Sequence, residues 1–205
     1  MLRRQGRDVD AIGRLEQALT LLDEPDAYAQ KVRCRILDEL GLARQKTGDT
    51  ASARRDFEAA LESRRDSRQD LDICQSLVNM ARLEVHVDDL QAAAAYTEEA
   101  IGILRGTAPT ALHANAEVLA AQVVLRQGRP DEGVPHAERA LSLNQQIASR
   151  RGEAISLLLL AQCCRATGRN EEAREHALAC LGVNTSMGNE AGAQRAQWIL
   201  DQLAE

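Results

Sequence analysis

The side chains in this sequence with chemical potential are arginines, amides, a few histidines and five cysteines. Glu172, His176 and Cys180 are spaced four apart, one helical turn each, so a helix would present three potential metal ligands on one face. Asp88-Asp89 and Glu98-Glu99 are paired carboxylates of the kind that serve general acid–base chemistry. A third set is wider. Arg35, Asp38, Leu42 and Gln45, then Gln75, Val78, Asn79, Arg82 and His86, then Asn115, Val118, Gln122 and Arg126, then Ile155, Leu158, Gln162 and Arg165 recur along the chain. Cationic and amide groups outnumber acids in this set. Arranged on one surface it would hold a carboxylate-bearing ligand through charge-assisted hydrogen bonds. No GxxxxGK[ST], GxSxG, HExxH or GxGxxG occurs, so no motif supports catalysis, and neither a cofactor nor a metal is expected.

The elements that must position these groups follow from a repeat. Gly48, Asp88, Gly128 and Gly168 fall 40 residues apart. Ala53, Ala93, Gly133 and Ala173 keep the same spacing, as do Ala60, Ala100, Ala140 and Cys180, with Leu61, Ile101, Leu141 and Leu181 beside them. Upstream, Leu40, Met80, Ala120 and Leu160 match, followed by Gly41, Ala81, Ala121 and Ala161. Columns that hold register over four units define a helix–turn–helix solenoid. Small residues in the first helix admit the second helix of the pair, and small residues in the second admit the next unit. Gly48, Gly128 and Gly168 suit a left-handed helix end. Asp49, Asp89 and Asn170 suit the next N-cap, and Pro130 suits a first turn.

The pattern predicts an all-α, right-handed α-solenoid of antiparallel helix pairs forming one domain over 1–205. A half repeat spans 1–25, full repeats span 26–66, 67–106, 107–149 and 150–188, and a half repeat spans 189–205. Ten helices are expected, at 8–22, 26–46, 50–66, 70–87, 89–105, 109–127, 130–149, 152–167, 170–187 and 189–203. The extra length of the first unit falls near Asp23 to Asp26. The half units at the ends suit a segment of a longer array. They equally suit a last helix that caps itself or docks on a second copy through Trp198, Ile199 and Leu203.

Within this frame several candidates lose their chemistry. Cys180 occupies a packing column, so its thiol is read as structural rather than metal-binding. Cys34 and Cys74 are repeat equivalents, again a packing signature. His136 and His176 share a column read as outward-facing. Five cysteines without a CxxC pair suit reduced thiols and a cytoplasmic setting. Aromatics are only 2% of residues, so the core must be aliphatic. The net charge of −6 and pI near 5.3 exclude general nucleic-acid binding. No apolar run reaches the length of a membrane span, and the N-terminus has no apolar run after its arginines.

The columns resemble the tetratricopeptide repeat: Leu40-Gly41, then Ala53, Phe57 and Ala60, reproduce most of that pattern. The resemblance covers nearly the whole chain and speaks to fold more than to function. The family's first-helix aromatic is replaced here by Arg44, Glu84, Val124 and Cys164. Phe57 becomes Thr97, Ala137 and Ala177, and no proline closes the units. The long period and the phrases Ser149-Arg150-Arg151-Gly152-Glu153-Ala154 and Met187-Gly188-Asn189-Glu190-Ala191-Gly192-Ala193 are similar to arrays at the C-terminal end of bacterial signal-transduction ATPases and antibiotic-pathway activators.

The resemblance implies a regulatory sensor or scaffold that binds a protein or peptide, acidic by the charge of the face, with Asn79, Arg82, His86, Gln122, Arg126, Gln162 and Arg165 as contacts. Alternatives are self-association as a homodimer through the terminal helices, and small-molecule sensing. Chaperone-tail binding is excluded, because only Asn79 falls on a clamp-like place while Asp38 and Leu42 have the wrong chemistry.

Overall fold

The computed structural model describes residues 2–22, 26–67 and 70–204, without the side chains of residues 2–7. Asp23, Glu24 and Pro25, where the first unit carries extra length, lie outside the described residues. Ten helices are present among those described: α1 (Leu2–Thr20), α2 (Ala27–Thr47), α3 (Thr50–Asp66), α4 (Asp70–Val87), α5 (Leu90–Leu104), α6 (Ala111–Arg126), α7 (Pro130–Gln146), α8 (Arg150–Ala166), α9 (Asn170–Ser186) and α10 (Glu190–Gln202). The fold is all-α, built of consecutive helix pairs. The chain divides into two compact units, Met1–Ile103 and Leu104–Glu205.

One closure recurs at the four turns inside the helix pairs, and again after α7 and α9. Gly48, Asp88, Gly128 and Gly168 have φ of 91°, 67°, 75° and 76°. In each turn the next residue's amide donates back to a carbonyl five residues earlier: Asp49 to Arg44, Asp89 to Glu84, Arg129 to Val124 and Arg169 to Cys164, all at 2.9 Å. This is the left-handed C-terminal motif that satisfies carbonyls at a helix end. Asp49 and Asp89 accept from Ser52 and Ala92 amides at 3.1 and 3.0 Å, as N-caps do. Pro130 opens α7.

Expectations change at the cap of α9 and at the start of α1. Asn170 is the first helical residue of α9, and Arg169 holds the cap position without a side-chain bond. The capping side chains elsewhere are Asp26, Thr110, Ser149 and Asn189. α1 begins at Leu2 rather than residue 8, because the arginines and glutamine there have helix propensity even without apolar periodicity.

The packing columns are buried as their small side chains require. Ala53, Ala93, Ala173, Ala60, Ala100, Ala140 and Cys180 all have no exposed surface. Volume is exchanged across the pair. A Cβ on Gly41 would collide with the Phe57 ring. At the equivalent places of unit 2, Ala121 and Ala161 face Ala137 and Ala177. Glycine therefore accompanies the one large aromatic, and alanine accompanies alanine. A second close approach recurs in unit 2: a Cβ on Gly152 or Gly192 would collide with the carboxamide of Asn144 or Asn184, each 40 residues from its counterpart.

Candidate functional site

In unit 1 the first-helix positions meet at a cavity of about 620 Å³. Arg35, Asp38 and Leu42 come from α2, Gln75, Asn79 and Arg82 from α4, Leu15 from α1 and Arg64 from α3. Its floor is a polar chain. The Arg64 guanidinium lies 2.6 Å from Asp38 and donates to the Ser76 hydroxyl. Asn79 donates to Asp38 at 3.1 Å, and Gln75 donates to Asn79 at 3.2 Å. Asp38, Arg64, Ser76 and Asn79 are all buried. Such a network is fully occupied and holds its members rigid. The exposed Arg35 and Arg82 at the rim meet no acidic partner among the described residues, while Glu39 adds an exposed acid beside them. His86 is exposed but does not line the cavity.

In unit 2 the expected contacts are spread along α6 and α8. Gln122 and Gln162 are half-buried and Arg126 is exposed. The Arg165 guanidinium stacks over the Trp198 ring at 5.4 Å from its centroid, within cation–π range. A residue read as groove-lining and one read as an association contact are thus neighbours. The terminal helix is amphipathic. Ile199 and Leu200 are buried among Ala161 and Ala177, with half-buried Leu203 beside them. Ile199 therefore holds α10 onto α8 and α9, and Trp198, 53% exposed, is the apolar residue of this helix presented to solvent.

Two carboxylates that sequence reasoning placed elsewhere or passed over are the most buried charges. Glu84 accepts from Arg54 at 2.7 Å, and its Oε1 has no hydrogen-bond partner. Burial pushes its carboxyl up, and Arg54 offsets that only in part. Glu117 lies 2.6 Å from His136 Nδ1 and accepts from Arg139 at 3.0 Å, with His113 at 3.9 Å. Burial is the largest influence and raises its carboxyl, but His136 and Arg139 together hold it below its ordinary value. His136, read from sequence as outward-facing, is therefore half-buried against a carboxylate because α7 lays it over α6. The sequence signal was present in the column Asp56, Tyr96, His136 and His176, polar at every repeat. Asp56 plays the matching part in unit 1, accepting from Arg44 through both oxygens at 2.7 and 2.6 Å.

The five cysteines are unpaired and buried. Burial pushes Cys74 and Cys163 up to about 11 and raises Cys164 and Cys180 as well. Cys180 donates to the Ala154 carbonyl at 3.3 Å inside the α8–α10 packing. No described helix is long and apolar enough to cross a membrane.

Family models for the tetratricopeptide repeat match residues 35–67 and 112–185, just over half the chain between them. The chain belongs to the tetratricopeptide repeat family. No curated protein matches it. Among solved structures, aspartyl phosphate phosphatase F of Bacillus subtilis is similar at 11% identity with a TM-score of 0.83, over 97% of this chain and 52% of that one. A signal transduction ATPase with a tetratricopeptide repeat sensor from Pyrococcus horikoshii is similar at 18% identity and a TM-score of 0.74, over 93% of this chain and 30% of that one. YrrB, a tetratricopeptide repeat protein with an unusual peptide-binding site, is similar at 15% identity and 0.51, over 82% and 83%. At these identities the likeness is one of fold. Proteins of this family typically act as non-catalytic interaction modules.

Proposed function

We propose that this chain is a non-catalytic scaffold or sensor module of a bacterial regulatory protein, cytoplasmic, that holds an acidic protein or peptide segment on its first-helix faces. The observation that carries the reading is the unit 1 cavity. Its floor is a closed network through Asp38, Asn79 and Arg64, and its rim carries Arg35 and Arg82. A rigid floor with cationic arms suits an extended segment bearing carboxylates. Arg82 contacts the segment in unit 1, with buried Asn79 holding the floor beneath it and His86 on the first-helix face outside the cavity, and Gln122, Arg126, Gln162 and Arg165 serve in unit 2.

The test uses a displayed library of linear peptides panned on the full chain. Acidic sequences should emerge, and Arg82→Glu with Arg126→Glu should abolish their binding without changing helicity by circular dichroism. Acidic binders that survive the double change would place the site elsewhere, and a library yielding basic sequences would refute the charge preference.

Exposed Trp198 favours a second reading, self-association as a homodimer. Light scattering on the full chain and on Trp198→Ala tests it. Deleting α10 is a poorer test, since it would uncover Ala161 and Ala177. A dimer that becomes a monomer on Trp198→Ala would support assembly through this helix.

A further inference from the structure

The exposed side of α10 carries a row of residues three apart, Arg195, Trp198 and Asp201. Residues so spaced form one ridge of a helix surface. The equivalent rows are Asn115, Val118 and Ala121 in α6, and Ile155, Leu158 and Ala161 in α8, all uncharged. Asp201 stands in the column of Ala121 and Ala161, whose small side chains admit the second helix of each pair. The α10 ridge therefore presents a cation, a ring and an anion where the other rows present neutral groups and close approach.

The chain itself leaves these groups open. Arg195 has no acidic partner among the described residues. Asp201 is exposed and accepts from the uncharged Gln197 at 2.8 Å. Arg165 stacks over the Trp198 ring and holds it in place, yet more than half of that residue remains in solvent. Ala191, Gln194 and Gln202, also exposed on this helix, carry no charge that would compete.

The row is complementary to itself. Arg195 and Asp201 lie at equal distances on either side of Trp198. A two-fold axis beside the indole sets Arg195 of one copy against Asp201 of the other, at both ends of the row. Self-complementarity of this kind is what a two-fold interface requires of a single patch. Ridges of this spacing run at about 45° to the helix axis, so two copies laid ridge along ridge cross steeply. The parallel arrangement would oppose like charges.

We propose that two copies of the chain associate through this ridge, indole against indole in an offset stack, with reciprocal Arg195–Asp201 pairs closing the two ends. One helix crossing another buries less than the roughly 1,000 Å² of a stable interface, and the ion pairs stay near solvent. The dimer is therefore weak, salt-sensitive and favoured by high local concentration. The inference rests on the self-association reading of Trp198 and adds the geometry and the charges that set its orientation.

Sedimentation equilibrium of the full chain, carried to millimolar concentration at low and high salt, tests it. The unaltered chain should show a monomer–dimer equilibrium that added salt weakens. Arg195→Glu and Asp201→Lys each turn both end contacts repulsive and should each weaken the dimer about tenfold or more, with circular dichroism unchanged because both positions are exposed. An equimolar mixture of the two variants should dimerise again. In the mixed pair the introduced acid faces the introduced lysine, and the native Asp201 of one chain faces the native Arg195 of the other. A mixture no more associated than its components overturns the proposal. A dimer that Trp198→Ala abolishes but the charge variants leave intact also overturns it, while keeping the self-association reading. A chain that stays monomeric at every concentration removes both.

Discussion

Glu84 in α4 of unit 1 and Glu117 in α6 of unit 2 are buried to the same degree, 0% and 1% exposed, and titrate in opposite directions. The difference lies in their partners. Glu84 meets one half-exposed arginine and leaves an oxygen unsatisfied, whereas Glu117 is held by a histidine and an arginine. Desolvation alone does not decide the sign; it sets a cost that the surrounding donors either cover or do not. The same contrast runs through the packing. Unit 1 fills its pair with Gly41 against Phe57, and unit 2 with Ala161 against Ala177.

The packing contrast can be broken first. Phe57→Ala should cost ~3–5 kcal/mol in denaturant unfolding, and Gly41→Ala ~1–3 kcal/mol through overpacking. Combining the two recreates the alanine pair of unit 2. The double variant should be more stable than the sum of the single losses by about 1 kcal/mol or more. Strict additivity would show that the glycine does not serve the ring.

Next comes the buried pair of unit 1. Arg64→Leu removes both the ion pair to Asp38 and the bond to Ser76, and should cost ~3 kcal/mol because it strands Asp38. Wild-type melting by this variant would mean Asp38 finds solvent instead.

The carboxylates sharpen the comparison through pH. Glu84 titrates high in the folded chain, so its contribution favours folding below the ordinary carboxylate value and is lost as pH rises through its folded value. Glu117 titrates low, so its contribution is present above the ordinary value and is lost as pH falls through its lower folded value. On acidification, amide-exchange protection of α4 should rise relative to that of α6. Glu84→Gln should flatten the α4 trend alone, and parallel trends in the two helices would refute the assignment.

The smallest change concerns a turn. Ala148 has φ of 54°, while Gly188, its repeat equivalent, takes 65°. Ala148→Gly should stabilise by up to about 1 kcal/mol, since alanine resists this conformation. A lower melting temperature would mean that the entropy of the unfolded chain outweighs the relieved strain.

The repeat was legible because it is written in backbone necessities. Gly48, Asp88, Gly128 and Gly168 mark left-handed turns, and the small columns mark close approaches. Cavity-lining positions such as Arg35, Gln75, Asn79 and Arg82 were also readable, because a 40-residue period fixes which face of each first helix they share. Arg64 was not readable. It lies on a second helix, in a column whose other members are Leu104, Asn144 and Asn184, and its pairing with Asp38 depends on a contact between non-adjacent turns. The pairing of His136 with Glu117 escaped for a similar reason: the period locates helices, but the reach of a long side chain across the pair depends on which partner stands opposite.

The buried thiols give the chain an internal clock. With Cys74 and Cys163 pushed up to about 11, roughly one thiol in ten thousand is ionised at neutral pH while the fold stays closed. Alkylation must therefore await an opening event. Cys74 would time openings of α4, and Cys163 those of α8, so mass spectrometry could follow each unit's breathing without an added label.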